Sequence, residues 1–313
     1  MLSKVLKETE GYRKIVMGNN TKALAAAVLT TVIWSGCYIV NKLAFAEGIS
    51  PLTLMGIRYT FAGLILATVM RKPGTGKKMP VRYAVIQSVI AYLIGQGLQS
   101  IAQKMLVPTV SALVGNASTI IIITVADYFI LKEHPKSGTF VKLLLMVSGM
   151  LLYYQPWTET GGQIGIGGAI LMTLASVALA ANTYMNRYML KHEGVEHVSL
   201  TVYPMLFGGV MLLITGLLTG GVPAFTWKLF FCVLYLTLAG SALAFALWVW
   251  SQQTLSAPQS AAINSGVIIE IAFLDMLVFN RKLNLMNWLG IVCVFAGIVW
   301  LQLSGTRTTM KKG

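Results

Sequence analysis

Residues 23–46 read ALAAAVLTTVIWSGCYIVNKLAFA, and the only charged side chain among them is that of Lys42. An α-helix needs roughly 20 apolar residues to cross the hydrocarbon layer of a bilayer, so this run is long enough to span it. Lipid offers no partner for an unpaired backbone group, and the alternating pattern of a β-barrel is absent from the chain. The run is therefore predicted to be a transmembrane helix.

The rest of the chain repeats this pattern, with short polar connections that often contain Pro or Gly. Of its 313 residues, 56% are hydrophobic and 11% are charged, and the mean hydropathy is +0.72. A soluble domain is typically about a quarter charged. The sequence thus predicts an all-α integral membrane protein with ten transmembrane helices, at residues 23–46, 51–70, 82–103, 109–131, 137–154, 164–189, 198–219, 227–251, 258–280 and 287–303.

Positive charge is distributed unevenly along these helices. If the amino terminus is cytoplasmic, 18 of the 24 Lys and Arg residues lie in inside segments, and only Lys104, Lys228, Arg281 and Lys282 lie outside. This bias predicts that residues 1–22 and 304–313 are both cytoplasmic. Although the net charge is +14, the bases lie between apolar runs rather than along one face, which argues against a nucleic-acid partner.

The two halves of the chain align at an offset of 148 residues, which pairs Asn116 with Asn264, Asp127 with Asp275, and Gly149 with Gly297. Each half holds five helices, an odd number, so the second half enters the membrane from the opposite side. Inverted repeats of this kind underlie alternating access in many secondary transporters. We expect repeats at residues 23–154 and 164–303, joined by an extracytoplasmic linker at 155–163.

Several motifs, in order along the chain, resemble EamA-type members of the drug/metabolite transporter superfamily. They are WSGCYIVNK at residues 34–42, ISPLTL at 49–54 followed by Arg58, LKEH at 131–134, GSALAF at 240–245 and LSA at 255–257. The resemblance covers roughly residues 24–303. It implies two five-helix repeats around a central cavity, to which helices 1, 3, 4, 6, 8 and 9 chiefly contribute.

The resemblance also implies transport of amino acids, metabolites, vitamins or drugs, often outward. This chain departs from the family pattern at two positions. Many relatives carry Glu-Pro in the ninth helix where this chain has Val267 and Ile268, and the second repeat's corner reads Asn280-Arg281-Lys282.

Polar side chains inside a bilayer are costly and tend to face the interior of a bundle, so they are candidates for substrate binding. Trp34, Tyr38 and Asn41 share one face of the first helix because of their i, i+4, i+7 spacing. The third helix carries a polar stripe, the sixth carries two amides one turn apart, and the fourth and ninth carry one amide each. This second set comprises Tyr92, Gln96, Gln99, Gln103, Asn116, Asn182, Asn186 and Asn264. Interhelical hydrogen bonding without substrate contact is the competing interpretation for each residue.

Other polar residues are interpreted as structural. Lys42 and Arg58 lie toward the outer ends of their helices and are expected to extend to the headgroups. Asp127, near Lys132, is interpreted as an acid that tethers its helix to a neighbouring group. Asp275, its counterpart in the second repeat, is interpreted as a packing residue. Trp248 and Trp250 are assigned to an interfacial aromatic belt.

Glu270 is the candidate coupling residue. It follows Pro258 by 12 residues, or roughly 18 Å of helix, which places it close to the middle of a core of about 30 Å. There it should either hold a proton or face a wet cavity, as the acid of a proton-coupled carrier would. A protonated Glu bonded to a neighbouring helix is the alternative.

Three function classes compete: a secondary transporter, a membrane-embedded enzyme and a non-transporting subunit. No nucleotide-binding loop and no convergent catalytic or metal-ligating set is visible, so we expect no enzymatic activity, cofactor or metal. We predict a transporter of an amino acid or related amine, with import of an organic cation or vitamin as the alternative. The expected partners are this substrate and membrane lipid, and a homodimer is left open.

Overall fold

The computed structural model describes residues 2–69, 77–131, 138–155, 165–252, 254–255 and 257–306. Within these ranges the fold consists of ten helices and contains no β-strand, as the sequence predicts. The helices are α1 (Leu2–Ala46), α2 (Pro51–Val69), α3 (Val81–Met105), α4 (Pro108–Leu131), α5 (Thr139–Tyr154), α6 (Ile166–Glu193), α7 (His197–Gly220), α8 (Trp227–Gln252), α9 (Ala257–Ser265 and Val267–Phe279) and α10 (Leu285–Thr306).

Seven of these helices are long and apolar enough to cross a membrane, namely α1 to α4 and α6 to α8. The apolar parts of α5 and α10, Thr139–Tyr153 and Leu285–Leu301, are shorter. α9 is interrupted at Gly266, where a tight turn separates its two halves. α1 begins at Leu2, so the helix continues into the segment that precedes the predicted first span.

Two helices widen into π-helix at equivalent positions of the two halves. These segments are Ser88–Gln96 in α3 and Leu238–Leu243 in α8, and a further π-helical segment, Met189–Glu193, ends α6. Shifted by 148 residues, the first falls on residues 236–244 and so contains the second. In a π-helix the backbone hydrogen bonds join residues five positions apart instead of four. Such segments frequently mark functional sites.

Each repeat pairs with the other through equivalent helices. α2 packs on α7, and a Cβ atom placed on Gly216 would collide with the backbone of Thr53. α5 packs on α10, where a Cβ atom on Gly290 would lie 2.6 Å from the carbonyl oxygen of Gly149. Glycine is needed at both crossings because the two backbones approach each other closely. Contacts between equivalent helices of this kind are expected of two inverted five-helix repeats.

The buried apolar core has two main parts, and both draw on both repeats. One is formed by α1, α2, α7 and α8, and it contains Leu54, Met205 and Leu236. The other is formed by the end of α3 with α4, α5, α6, α9 and α10. Since neither part belongs to one repeat alone, the two repeats form one packed unit.

We name the two ends of the bundle by residues that lie there. The end at which α1 leads into α2 is called the Glu47 end, and the opposite end, at which α3 begins, is called the Lys77 end. At the Glu47 end, Glu47 accepts hydrogen bonds from Lys228 Nζ at 2.8 Å and Thr226 Oγ1 at 2.8 Å. These bonds, Lys228 first and then Thr226, lower the pKa of the Glu47 carboxyl. They join the end of α1 to the start of α8.

Candidate functional site

The carboxyl group of Glu270 lies against the polar side of α1. Its Oε1 is 3.0 Å from Thr31 Oγ1 and its Oε2 is 2.6 Å from Ser35 Oγ. Thr31 and Ser35 are one turn apart, so both hydroxyls reach the same carboxyl group. The structure thus places Glu270 at a contact between α1 of the first repeat and α9 of the second. Of the ion pairs among the described residues, none includes Glu270.

The hydrogen bonds around Glu270 can form whether its carboxyl group is protonated or ionised. Thr31 Oγ1 is also 2.8 Å from the carbonyl oxygen of Val28, and Ser35 Oγ is 2.8 Å from that of Thr31. Two hydroxyl hydrogens therefore face four acceptor oxygens. A proton on Glu270 supplies a third hydrogen, which can be donated to Ser35 Oγ. Without that proton, rotation of the Ser35 hydroxyl turns its own hydrogen toward the carboxylate.

The break in α9 positions Glu270 in the first turn of the half-helix Val267–Phe279. The backbone N–H of Glu270 donates to the carbonyl of Gly266 at 3.1 Å. An acidic side chain in the first turn of a helix interacts favourably with the helix dipole, and this applies to its charged form. A half-helix that begins inside the bundle is a recurrent feature of transporter binding sites.

The predicted wall on α1 occupies the arc next to Ser35. Trp34 stacks edge-on against Phe245 at 5.6 Å and lies 5.3 Å from Trp248, both on α8. Tyr38 packs beside Val267 and Ile271 of α9. Asn41 donates to Gln103 Oε1 at 2.9 Å, while its own buried carbonyl oxygen has no partner among the described residues. The wall therefore borders α3, α8 and α9.

Arg58 does not extend to the headgroups, so that expectation is wrong. The residue is only 6% exposed, and its guanidinium group points into the bundle. Nε donates to Ser241 Oγ at 2.7 Å and Nη2 to the carbonyl oxygen of Gly240 at 3.1 Å. Gly240 and Ser241 belong to the π-helical segment of α8. The guanidinium group therefore bonds to the part of α8 where the regular α-helical hydrogen bonds are interrupted.

The ring of Trp248 packs on Trp34 and on the cluster that contains Ala23 and Leu255, and its assignment to an aromatic belt stays a prediction. Trp250 is 45% exposed. Lys42 donates from Nζ to the carbonyl oxygens of Lys104 at 2.8 Å and Leu106 at 2.9 Å. It thus connects α1 to the last turn of α3 at the Glu47 end.

The polar stripe of α3 is divided among different partners. Tyr59 donates to Gln96 Oε1 at 2.9 Å, and its ring meets that of Tyr92 edge-on at 5.1 Å. Gln103 is bonded to Asn41, as described above. Gln99 is partly exposed and forms no side-chain hydrogen bond within the described part of the chain. Of the stripe, Gln96 and Gln103 hold helices together, and Gln99 is the member whose amide is open.

The amides on the other helices also differ. Asn182 and Asn186 both accept from Gln87 Nε2, each at 2.7 Å, which joins α6 to α3. Asn116 donates to the carbonyl oxygen of Ala112 in its own helix at 2.9 Å. Asn264 lies just before the break in α9 and is partly exposed. The structure therefore does not gather all the candidate residues into one cluster.

The repeat-related acids form helix-to-helix contacts at opposite ends of the bundle. Asp275 is buried and accepts from both the hydroxyl of Thr109, at 2.6 Å, and its backbone N–H, at 3.3 Å, and so caps the start of α4. Asp127 accepts from Tyr184 at 2.6 Å and lies 3.9 Å from Arg187. Lys132, the expected neighbour of Asp127, lies outside the described residues.

A cleft of about 660 Å³ opens at the Lys77 end, between the ends of α4 and α6. Its lining is formed by Asp127, Tyr184, Arg187, Tyr188, Leu190, Lys191 and His192. The Glu47 end is crossed by the contacts of Glu47, Lys42 and Asp275. Polar contacts thus join described helices at both ends, and the cleft lies at the Lys77 end beside the bond of Tyr184 to Asp127.

Comparison with known sequences gives the same architecture. The EamA-like transporter family matches residues 21–155 and again residues 166–303, which together make up most of the chain. The chain belongs to this family. Two successive matches in one chain are what two five-helix repeats require.

Three relatives of this EamA chain are transporters by name. The uncharacterized inner membrane transporter YicL of Salmonella typhimurium is 23% identical, over 93% of this chain and 98% of its own. The uncharacterized transporter YetK of Bacillus subtilis is 24% identical, over 88% of this chain and 84% of its own. The uncharacterized inner membrane transporter YhbE of Escherichia coli is 28% identical, over 88% of this chain and 89% of its own.

A solved crystal structure shares the fold. Its TM-score is 0.66 at 13% sequence identity, and the superposition covers 91% of this chain and 97% of the other. At this identity the likeness concerns the fold alone.

Sequence reasoning missed four partners of the residues that it singled out. Thr31 and Ser35 bond to Glu270, Gln87 bonds to Asn182 and Asn186, and Ser241 bonds to Arg58. Thr31 and Ser35 had a detectable pattern, since hydroxyl side chains one turn apart lie on the side of α1 next to the predicted wall. Ser241 stood within a quoted motif but was given no role. Nothing in the local sequence indicated Gln87 as a partner of Asn182, because that contact joins residues 95 positions apart.

Proposed function

We propose that this EamA-family protein is a secondary transporter that moves an amino acid or related amine across the inner membrane by alternating access, coupled to protons through Glu270. The inner membrane follows from the names of the relatives YicL and YhbE. Outward transport is our preferred direction, and it rests on the family resemblance. The observation that carries the proposal is the contact of Glu270 with Ser35 and Thr31.

Proton coupling requires an acid that can exist in two states within the bundle. Glu270 meets this requirement because Ser35 can either accept a hydrogen bond from the protonated acid or donate one to the carboxylate. The contact also joins the two repeats. A change in protonation therefore changes a bond between the elements that alternating access must move relative to each other.

Alternating access also requires ends that open and close in turn. We assign the Glu47 end to the extracytoplasmic side and the Lys77 end to the cytoplasm on the distribution of Lys and Arg. The contacts of Glu47, Lys42 and Asp275 would then close the outer side, while the cleft beside Asp127 opens inward. Opening this side would break these polar bonds together with the apolar contacts of Phe45, Ile49 and Leu229 at the same end.

The aromatic groups on α1 and α8 and the open amides on α3 and α9 support a small polar substrate with an apolar part. Trp34, Tyr38 and Trp248 supply apolar surface, and Gln99 and Asn264 supply open amides. An organic cation or vitamin would suit the same aromatic residues, because aromatic faces attract cations. We favour the amino acid, since basic as well as acidic groups lie within the helices.

The proposal is tested with the purified protein in liposomes. We expect it to exchange at least one radiolabelled member of a panel of amino acids, amines and vitamins without any other protein. Liposomes that lack the protein provide the control. A protein that moves no member of the panel alone, but does so when a second membrane protein is added, would instead be the non-transporting subunit.

A further inference from the structure

Arg58 is a buried cation without an acidic partner. Of the ion pairs among the described residues, none includes it, and the ionisable groups that surround it are the phenols of Tyr59 and Tyr235 and the thiol of Cys37. An ionised group removed from water without a counter-charge is expensive, and a guanidinium group remains charged under all ordinary conditions. An ionisable residue inside a membrane bundle is therefore a candidate functional residue.

The guanidinium group is held in a fixed orientation by neutral acceptors. Three of its five N–H donors are directed at Ser241 Oγ, the carbonyl oxygen of Gly240 and, at 3.7 Å, Cys37 Sγ. The Nη1 atom carries the other two. It forms no hydrogen bond to the described residues, yet it is absent from the fully enclosed atoms that lack a partner. Nη1 is therefore not completely enclosed, and its two N–H donors are not used by the described residues.

The orientation of α1 relates this unused donor group to Glu270. Successive residues of a helix are rotated by about 100°, so Ser35 and Cys37 lie on nearly opposite sides of α1. Ser35 contacts Glu270, and Cys37 contacts Arg58. The arc between them is the wall formed by Trp34, Tyr38 and Asn41. An acid and a base thus border the two sides of one aromatic surface.

We propose that Arg58 binds the carboxylate of the transported amino acid through Nη1, with the rest of the substrate lying against the Trp34 and Tyr38 wall that leads to Glu270. This proposal rests on the proposed transport function and specifies the substrate as a zwitterion. The substrate carboxylate supplies the counter-charge that the fold lacks. Guanidinium is suited to this role because its N–H groups are planar and fixed.

Matched probes test the carboxylate directly. Each labelled amino acid that the wild-type protein exchanges in liposomes is compared, as a competitor, with its own methyl ester and its decarboxylated amine. We expect the free amino acid to compete at least tenfold more strongly than either analogue, because only it carries a carboxylate. Equal competition by the ester would overturn the proposal without involving any variant.

Variants give the second readout. Arg58→Gln should lower exchange at least tenfold. Arg58→Lys should retain part of the exchange, because the positive charge remains although the planar set of N–H donors is lost. The melting temperature of Arg58→Gln in detergent should stay within a few degrees of wild type. Arg82→Gln, which removes an exposed arginine at the start of α3, is the control and should exchange normally.

The remaining outcomes separate this proposal from the function on which it rests. If the protein exchanges amines but no amino acid, the Arg58 site is overturned and the proposed transport function stands. A melting temperature that rises with chloride, and not with amino acids in chloride-free buffer, would make Arg58 an inorganic-anion site and overturn the proposal. A wild-type protein that moves no probe at all would contradict both the carrier and the site.

Discussion

Ser35 Oγ of the first repeat lies 2.6 Å from Glu270 Oε2 of the second, and Thr31 Oγ1 lies 3.0 Å from the other carboxyl oxygen. Two helices from opposite halves of the chain are thereby joined through one titratable group. Because both hydroxyls also have a carbonyl oxygen of α1 within reach, the contact can be remade when the proton arrives or leaves. In the proposed mechanism, this contact connects the protonation state of Glu270 to the relative position of the repeats.

Removing the shorter of these bonds should weaken coupling. In Ser35→Ala, Glu270 Oε2 loses its nearest partner, and we expect proton-gradient-driven flux to fall several-fold while the protein remains folded. Flux into liposomes with an imposed pH gradient measures this. Ser100→Ala is the matched control, because the Ser100 hydroxyl bonds to the carbonyl of Gly97 in its own helix. Equal flux in the two variants would show that the Ser35 bond has no part in coupling.

The close crossing of α2 and α7 should be sensitive to a single methyl group. Gly216→Ala places a Cβ atom against the backbone of Thr53, which cannot yield as a side chain can. We expect a loss of about 1–3 kcal/mol in the free energy of unfolding, measured as thermal stability in detergent. Gly167→Ala is the control, since its Cβ would meet only the flexible end of Met105 at 3.3 Å. A Gly216→Ala protein as stable as this control would contradict the described crossing.

The orientation of the bundle can be tested by labelling in intact cells. With the Glu47 end outside, Val222→Cys, at an 86% exposed position between α7 and α8, should react with a membrane-impermeant thiol reagent. Lys78→Cys, at an exposed position before α3, should react only after permeabilisation. The wild-type chain, with its three native cysteines, provides the background. The reverse pattern would invert the topology.

Much of the fold could be predicted from the sequence because lipid imposes a strong and simple constraint. Every apolar run of sufficient length has to be a helix, so the ten helices follow from hydropathy. The interruption of α9 at Gly266 and the π-helical segments of α3 and α8 could not be predicted in this way. They depend on which helices pack beside them, as the bond from Arg58 to Gly240 shows.

The site was only partly predictable for a related reason. Spacing along one helix correctly groups Trp34, Tyr38 and Asn41, since these residues share a face. Spacing cannot show which face of another helix they meet. Arg58 was expected at the headgroups because its position along α2 is near the outer end, yet the side chain points inward to α8. Its partners Gly240 and Ser241 lie more than 180 positions away in the chain.

The central claim is that Glu270 couples transport to protons. Glu270→Gln keeps the shape of the side chain but removes its titration, so in liposomes the variant should still exchange substrate across the membrane. Accumulation driven by a pH gradient should be lost. Glu196→Gln, which removes an acid just before α7 that bonds to Ser199, is the control and should still accumulate substrate. Gradient-driven accumulation by Glu270→Gln at the wild-type level, with the wild-type pH dependence, would contradict the account.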